Sequence, residues 1–222
     1  MGPMQQETRG VAGARWSVVV PLKTLGLAKS RLAPTFDDAL RPRLALAFAL
    51  DTVTAALACP EVRGVVVVTD DPLASRELAS LGARVLPDTP GAGLNPALRH
   101  GAERVRAEAP HTHLAALNAD LPALRPAELG RALAVAARFP RAFLADAAGV
   151  GTTLLTARPG VALSPAFGGT SRRRHRASGA VELCVTGVDS VRRDVDTGAD
   201  LGAALTLGVG RHTLTASATS PG

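Results

Sequence analysis

The sequence predicts an α/β protein: one domain built on a doubly wound, mostly parallel sheet with helices on both faces. Three observations lead there. Apolar runs such as GVVVVTD (64–70) are continuous rather than alternating, as strands covered on both faces require. Segments of helical length separate these runs, in the order β-α-β-α-β-α-β-α-β from residue 16 to 146. Hydrophobic residues make up 46% of 222 residues, enough for a sizeable core and well outside the range of disordered chains.

WSVVVPL (16–22) is a β-branched run that stops at Pro21. RLALAFALDTVTAAL (43–57) has helical spacing, and the strand GVVVVTD follows. PLASRELASLG (72–82) places Pro72 near a first helical turn and Gly82 at its stop. ARVLPD (83–88) is a short strand. NPALRHGAERVRAEA (95–109) is a helix with Pro96 near its start, and THLAALNADLP (112–122) is a strand running into a loop. PAELGRALAVAARF (126–139) is a helix and AFLAD (142–146) a strand.

After residue 147 the rhythm changes. GVGTTLLTARPG suggests a strand between glycine turns. SPAFGGTSRRRHRASGA joins a glycine turn to a short basic helix, VELCVTG is a further strand, and DVDTGADLGAALTLG is a strand end entering a helix. Thr197 followed by Asp200 resembles a capping box. The expected organisation is a loose tail over 1–15, a domain over 16–212 and a second loose tail over 213–222.

Composition excludes several classes. No apolar run approaches the ~20 residues that span a bilayer, and residues 1–15 lack the apolar segment of a signal peptide. Cys59 and Cys184 show no metal-ligand spacing, which favours a reduced, cytoplasmic setting. The formal charge is +6 and the isoelectric point near 10.8. With aromatics at only 3%, single-strand binding by base stacking is disfavoured, and a small polyanion is the better partner.

In open parallel sheets, ligands bind beyond the C-terminal ends of the strands, where the strand order reverses. Both lysines of the chain, Lys23 and Lys29, lie after the first strand in PLKTLGLAKSRL, and Arg31 adds a third cation. A compact point charge on a flexible stem suits a triphosphate, with composition bias that leaves the pair there by chance as the alternative. The loop lacks the GxxxxGK[ST] pattern, so this is not a P-loop NTPase. Aspartates follow other strands. Asp120 in NADLP either binds a divalent metal with substrate phosphates or caps a turn before Pro122. Asp194 and Asp196 in DVDT lie two apart, so an extended chain turns both to one side. With Asp120 they form a three-carboxylate set suited to one or two Mg²⁺ ions, or else Asp196 belongs to the helix cap. Thr152 follows a glycine-rich turn, and Gly168, Gly169 and Ser171 open the RRRHR run (172–176). That run reads as a small-anion nest, a solvated face or a nucleic-acid patch. No serine or cysteine pairs with a histidine in a triad pattern, so a reaction without a protein nucleophile, such as nucleotidyl transfer, suits the residues best.

Taken together, WSVVVPLKTLGLAKSRL, GLNPALRHGA, LNADLPAL, GVGTTLLTA, FGGTSRRRHRASGAVEL and DVDTGADL resemble the phosphoenolpyruvate / 2-phospho-L-lactate guanylyltransferase family over about residues 16–209. The family is similar in fold to the molybdenum-cofactor guanylyltransferases, although the first loop here has no LAGG-type glycine pair. The resemblance implies transfer of GMP from GTP to a three-carbon phospho-acid with release of pyrophosphate. The product would pass to a downstream transferase of coenzyme F-420 biosynthesis. It implies that Lys23, Lys29 and Arg31 contact the GTP phosphates and that Asp120, Asp194 and Asp196 bind Mg²⁺. Thr152, with Thr153 as the alternative, would bind the phospho-acid together with Gly168 and Ser171, and Asn95 would contact the nucleoside. The sequence resembles the actinobacterial branch, which implies phosphoenolpyruvate. No residue separates it from 2-phospho-L-lactate or 3-phosphoglycerate.

Overall fold

A computed structural model describes residues 15–27, 39–89 and 91–218. The central strand, β1 (Trp16–Pro21), is wholly buried, as its unbroken apolar sequence requires. A one-turn 3₁₀ helix (Leu25–Leu27) leads toward α1 (Leu40–Leu57), followed by β2 (Val62–Val68), α2 (Pro72–Ser80) and β3 (Arg84–Leu86). Next come α3 (Leu94–Glu108), β4 (His113–Leu117), α4 (Pro126–Ala136), β5 (Arg141–Ala145) and β6 (Thr152–Ala157). The chain continues through α5 (Ser171–Ala177), β7 (Val181–Glu182), α6 (Asp189–Arg192), α7 (Gly198–Leu207) and α8 (Arg211–Ala218).

The seven strands lie in the order β3-β2-β1-β4-β6-β5-β7. All neighbours are parallel except β6, which runs antiparallel to both β4 and β5. The sequence places a strand in GTTLLTA but gives no sign that it inserts between β4 and β5. The cause is local: residues 146–151 make a tight turn in which the Asp146 carboxylate accepts from Val150 N–H (2.9 Å) and Gly151 N–H (2.7 Å). The returning strand therefore pairs with its predecessor.

Two expectations are corrected here. DVDT is irregular chain between α6 and α7, not a strand end. Residues 213–218 are not a loose tail but most of α8, where Thr213 and Ala216 are buried. Asp51 of α1 holds that helix, accepting from His212 N–H (3.1 Å) and Thr213 N–H (2.8 Å). Residues 1–14, most of the expected N-terminal tail, lie outside the described residues.

One face of the sheet carries α1, α2 and α4 around Val18, Val20 and Val67. The other carries α3 on Val19, Val66 and Val68, with Phe143, Phe167 and Leu163 further along. A third cluster seats α7 and α8 on the outer side of α1 through Phe48, Leu44, Val195 and Leu201. α3 approaches the sheet most closely at Gly101, where an added Cβ would stand 2.6 Å from Val19 Cγ1 and 2.9 Å from Val68 Cγ2. Gly101→Ala is therefore expected to cost about 1–3 kcal/mol of stability through overpacking. Thermal unfolding would show a fall of roughly 2–10 °C, while Gly202→Ala, on an open stretch of α7, would leave the transition in place or raise it slightly.

Candidate active site at the carboxyl edge of the sheet

Strands β1 and β4 are adjacent and parallel, so the loops after both leave the same edge of the sheet. β6 runs the other way, which brings its first residues, Thr152 and Thr153, to that edge as well. The chain's connections reverse direction between β1 and β4, the usual place for a ligand in an open α/β sheet.

Asp120 is set there by its neighbours. Thr52, fully buried on α1, accepts from Leu121 N–H (3.0 Å) and lies within hydrogen-bond reach of Phe48 O (2.7 Å) and Ala119 O (3.2 Å). One hydroxyl thus grips the residues on both sides of Asp120. Val195 N–H donates to the Asp120 carbonyl (3.0 Å). This bond fastens the irregular segment 193–196 alongside the loop. Val195 itself is fully buried, so Asp194 and Asp196 flank an apolar anchor, in keeping with the alternation read from DVDT. At its near end the segment is tied to the exit of β5, where Ala147 N–H donates to Arg192 O (2.8 Å) and Arg192 Nη2 to Asp146 O (3.0 Å). At its far end Thr197 and Asp200 form the expected capping box, with Thr197 N–H donating to Asp200 Oδ2 at 2.8 Å.

These ties gather four carboxylates. The Asp194 carboxyl is pushed up from 3.8 to about 7, first by burial and then by the negative charges of Asp120, Asp196 and Asp146. Like charges held together in a partly buried pocket are the condition a divalent cation relieves, and hard carboxylate oxygens suit Mg²⁺. Among the described residues, no three acidic, histidine or cysteine side chains are already disposed as a ligand cage. A cation held here would have to take much of its shell from substrate phosphates and water, as Mg²⁺ commonly does.

On the other side of β6, Thr152 Oγ1 lies 2.9 Å from His175 Nδ1. The opposite ring nitrogen, Nε2, accepts from Ala166 N–H (3.0 Å). Burial, with help from the Arg141 and Arg174 charges, lowers the His175 pKa to about 4, so the ring is neutral. Arg174 donates to the carbonyls of Ala166 (3.1 Å), Phe167 and Gly168. Gly168 and Gly169 both hold positive φ (95° and 46°), which side-chain-bearing residues rarely adopt. Ser171 opens α5 and is buried. Asn95 sits in the first turn of α3. Its carboxamide donates to Phe167 O (3.1 Å) and accepts from Phe167 N–H (2.7 Å), so one donor and one acceptor of the side chain expected at the nucleoside fasten this loop.

The RRRHR run is not a free basic patch. Arg172 donates to Glu182 (2.9 Å) and Gly149 O (2.8 Å), and Arg176 pairs with the same glutamate. Those pairs and Arg174's carbonyl bonds leave Arg173 as the exposed arginine of the run with none of these ties.

Lys23 is exposed on the loop after β1. Asp71 steers that loop: it caps α2 through Leu73 and Ala74 N–H (both 3.0 Å) and accepts Leu25 N–H with its other oxygen (3.0 Å). Lys29 and Arg31 lie outside the described residues. The structure thus brings Asp120, Asp194 and Asp196 together and adds Asp146, Thr52 and His175, which sequence reasoning missed. Asp146 was visible as the last residue of AFLAD, whereas His175 was hidden inside a basic run and Thr52 inside an apolar helix.

The family described as guanylyl transferase CofC like matches residues 16–216. A phosphoenolpyruvate guanylyltransferase of Streptomyces coelicolor is 67% identical over 204 residues, covering 92% of this chain and 96% of its own. One from Thermomonospora curvata is 59% identical, covering 98% and 95%. Among solved structures, a nucleotidyl transferase from Methanothermobacter matches with TM-score 0.59 at 20% identity, covering 88% of this chain and 98% of its own. A 4-diphosphocytidyl-2C-methyl-D-erythritol synthase matches with TM-score 0.60 at 12% identity, covering 87% and 99%. These two share the fold.

The Asp194 shift has a sign that can be tested. Its folded-state pKa is raised, so the metal-free folded protein holds this proton more tightly than the unfolded chain. Stability is then lost as pH rises from about 3.8 toward about 7 and levels off above. Asp194→Asn removes that loss. In chelator, the variant is expected to melt higher than the wild type at pH 8, with the gap closing at pH 4. A divalent cation at pH 8 should raise the wild type more than the variant. A gap that does not change with pH would mean that Asp194 is not held against its neighbours.

Proposed function

The chain belongs to the guanylyl transferase CofC-like family, and on that premise we propose that it transfers GMP from GTP to phosphoenolpyruvate, releasing pyrophosphate, in coenzyme F-420 biosynthesis. The observation that carries the reading onto this chain is the cluster of Asp120, Asp146, Asp194 and Asp196 at the edge where the lysine loop also emerges.

The acceptor phosphate is already anionic, so no protein base or nucleophile is required. One of its oxygens forms a bond to the α-phosphorus of GTP as the bond from that phosphorus to the bridging oxygen of pyrophosphate breaks. Both reactants are anions, and their mutual repulsion grows several-fold as water leaves the site. Lys23, Lys29 and Arg31 counter it by neutralising the departing pyrophosphate. Thr152, Gly168 and Ser171 orient the phospho-acid, and the ties on the 166–168 loop keep that cradle in place. Asp120, Asp194 and Asp196 would hold Mg²⁺, which when bound supplies charge neutralisation to the phosphate oxygens. Asp146 adds negative charge that tightens the site for a cation.

The reading includes a GTP substrate, a cytoplasmic setting and a downstream F-420 transferase that receives the product. Both cysteines are unpaired, which accords with a reducing compartment. The engagement of Arg172, Arg174 and Arg176 within the protein favours a small anion over nucleic acid.

The test is pyrophosphate release from purified protein, GTP and Mg²⁺, with phosphoenolpyruvate and 2-phospho-L-lactate offered separately. Release is expected with phosphoenolpyruvate. Asp120→Asn is expected to lower kcat at least ~100-fold, about 2.7 kcal/mol of transition-state stabilisation. Silence with phosphoenolpyruvate from protein that binds GTP would discard this acceptor, and turnover by the variant near the wild-type rate would remove Asp120 from the mechanism.

A further inference from the structure

We propose that His175 is a positioning residue for the acceptor: its fixed tautomer makes the Thr152 hydroxyl a hydrogen-bond donor toward the phospho-acid anion and couples that hydroxyl to the 166–168 loop. The inference rests on the reading that Thr152 binds the acceptor.

The chemistry follows from what each partner can do. A backbone N–H only donates, so Ala166 N–H at 3.0 Å requires a lone pair on Nε2. A neutral imidazole carries one proton, which must then sit on Nδ1. That proton points at Thr152 Oγ1, 2.9 Å away, and makes the threonine oxygen the acceptor of the pair. Thr152 is left with its own O–H hydrogen, which cannot be given back to His175. A hydroxyl in this state donates outward, as an anion requires. With the opposite tautomer, the threonine would donate to the ring and present only lone pairs to a phosphate or carboxylate.

The surroundings hold the ring to one choice. His175 is 0% exposed and packed between Phe143 (ring centroids 5.8 Å apart) and Phe167 (5.1 Å). The nearby cations Arg141 and Arg174 oppose a second proton. Phe167 is in turn gripped by Asn95, and the carbonyls of Ala166, Phe167 and Gly168 by Arg174. One ring therefore bridges the first residue of β6 to the glycine loop, two places where the acceptor is expected to bind.

Two kinds of measurement test this. Long-range ¹⁵N–¹H spectra of histidine-labelled protein, with the His175 signal assigned by its loss in a variant, are expected to show the proton on Nδ1 and a bare Nε2 at pH 7. A proton on Nε2 overturns the proposal on the wild-type protein, with no mutant needing to fold. In the pyrophosphate assay, His175→Asn places an amide where Nδ1 stands, and His175→Gln places one where Nε2 stands. The first keeps a donor toward Thr152 but gives up the Ala166 bond, so it should raise the KM for phosphoenolpyruvate only modestly. The second should raise it about 10-fold or more, as loss of a charge-assisted hydrogen bond does, with the KM for GTP unchanged in both. Equal effects from the two overturn the proposal. Thr152→Val separates the two levels: an unchanged KM for phosphoenolpyruvate discards Thr152 as an acceptor contact. A raised KM there, with His175→Gln like the wild type, discards only the role of His175.

Discussion

Four carboxylates held against their own repulsion at one edge of the sheet are the constraint around which the rest of this structure is arranged. Left to themselves, Asp120, Asp146, Asp194 and Asp196 would separate into water. The fold prevents this with bonds that involve the backbone rather than the carboxylates of the three expected ligands: the Thr52 hydroxyl astride the Asp120 loop, the Val195–Asp120 bond, and the Arg192–Asp146 tie. The buried Val195 side chain adds an apolar anchor in the α1–α7–α8 cluster, so the position of two carboxylates depends on core packing some distance from the chemistry.

Arginine is the scaffold material of the opposite flank. Arg174 collects the carbonyls of the glycine loop, Arg172 and Arg176 share Glu182, Arg131 reaches Gly187 O, and Arg106 reaches the carbonyls of Arg158 and Val161. A guanidinium with five donors satisfies several loop carbonyls at once, which a lysine does not. A net charge of +6 that reads as a binding surface in the composition is therefore partly structural cement. The irregular stretch from 158 to 180 keeps its shape without regular secondary structure over most of its length.

The parallel half of the sheet was legible because its central strands are apolar runs and the helices α2, α3 and α4 each carry a proline near the start. The antiparallel insertion was not, because a strand's direction follows from the turn before it, and the carboxylate that shapes that turn also reads as a strand end. The choice between Thr152 and Thr153 was out of reach for a related reason. β6 pairs Leu154 with Leu144 and Thr152 with Ala145, so Thr153 is an extra residue that breaks the alternation from which facing is inferred. The tie from Asn95 to Phe167 could not be read from the sequence, because the two residues are 72 positions apart and meet only once the 166–168 loop is in place. Asp194 and Asp196 were legible as a pair from their spacing, since residues two apart in extended chain keep a common side whether or not they join a sheet, and Asp120 from its place after a strand.

The distribution of lysine has a practical side. Every ε-amine in this chain belongs to Lys23 or Lys29, on the loop after β1, while guanidinium groups, inert to mild acylation, do the structural work elsewhere. An amine-selective reagent thus meets, apart from the α-amino group, only these two side chains, both in the segment proposed to contact the triphosphate. A reporter dye or crosslinker of ordinary amine chemistry becomes a site-directed one without any engineering of the sequence.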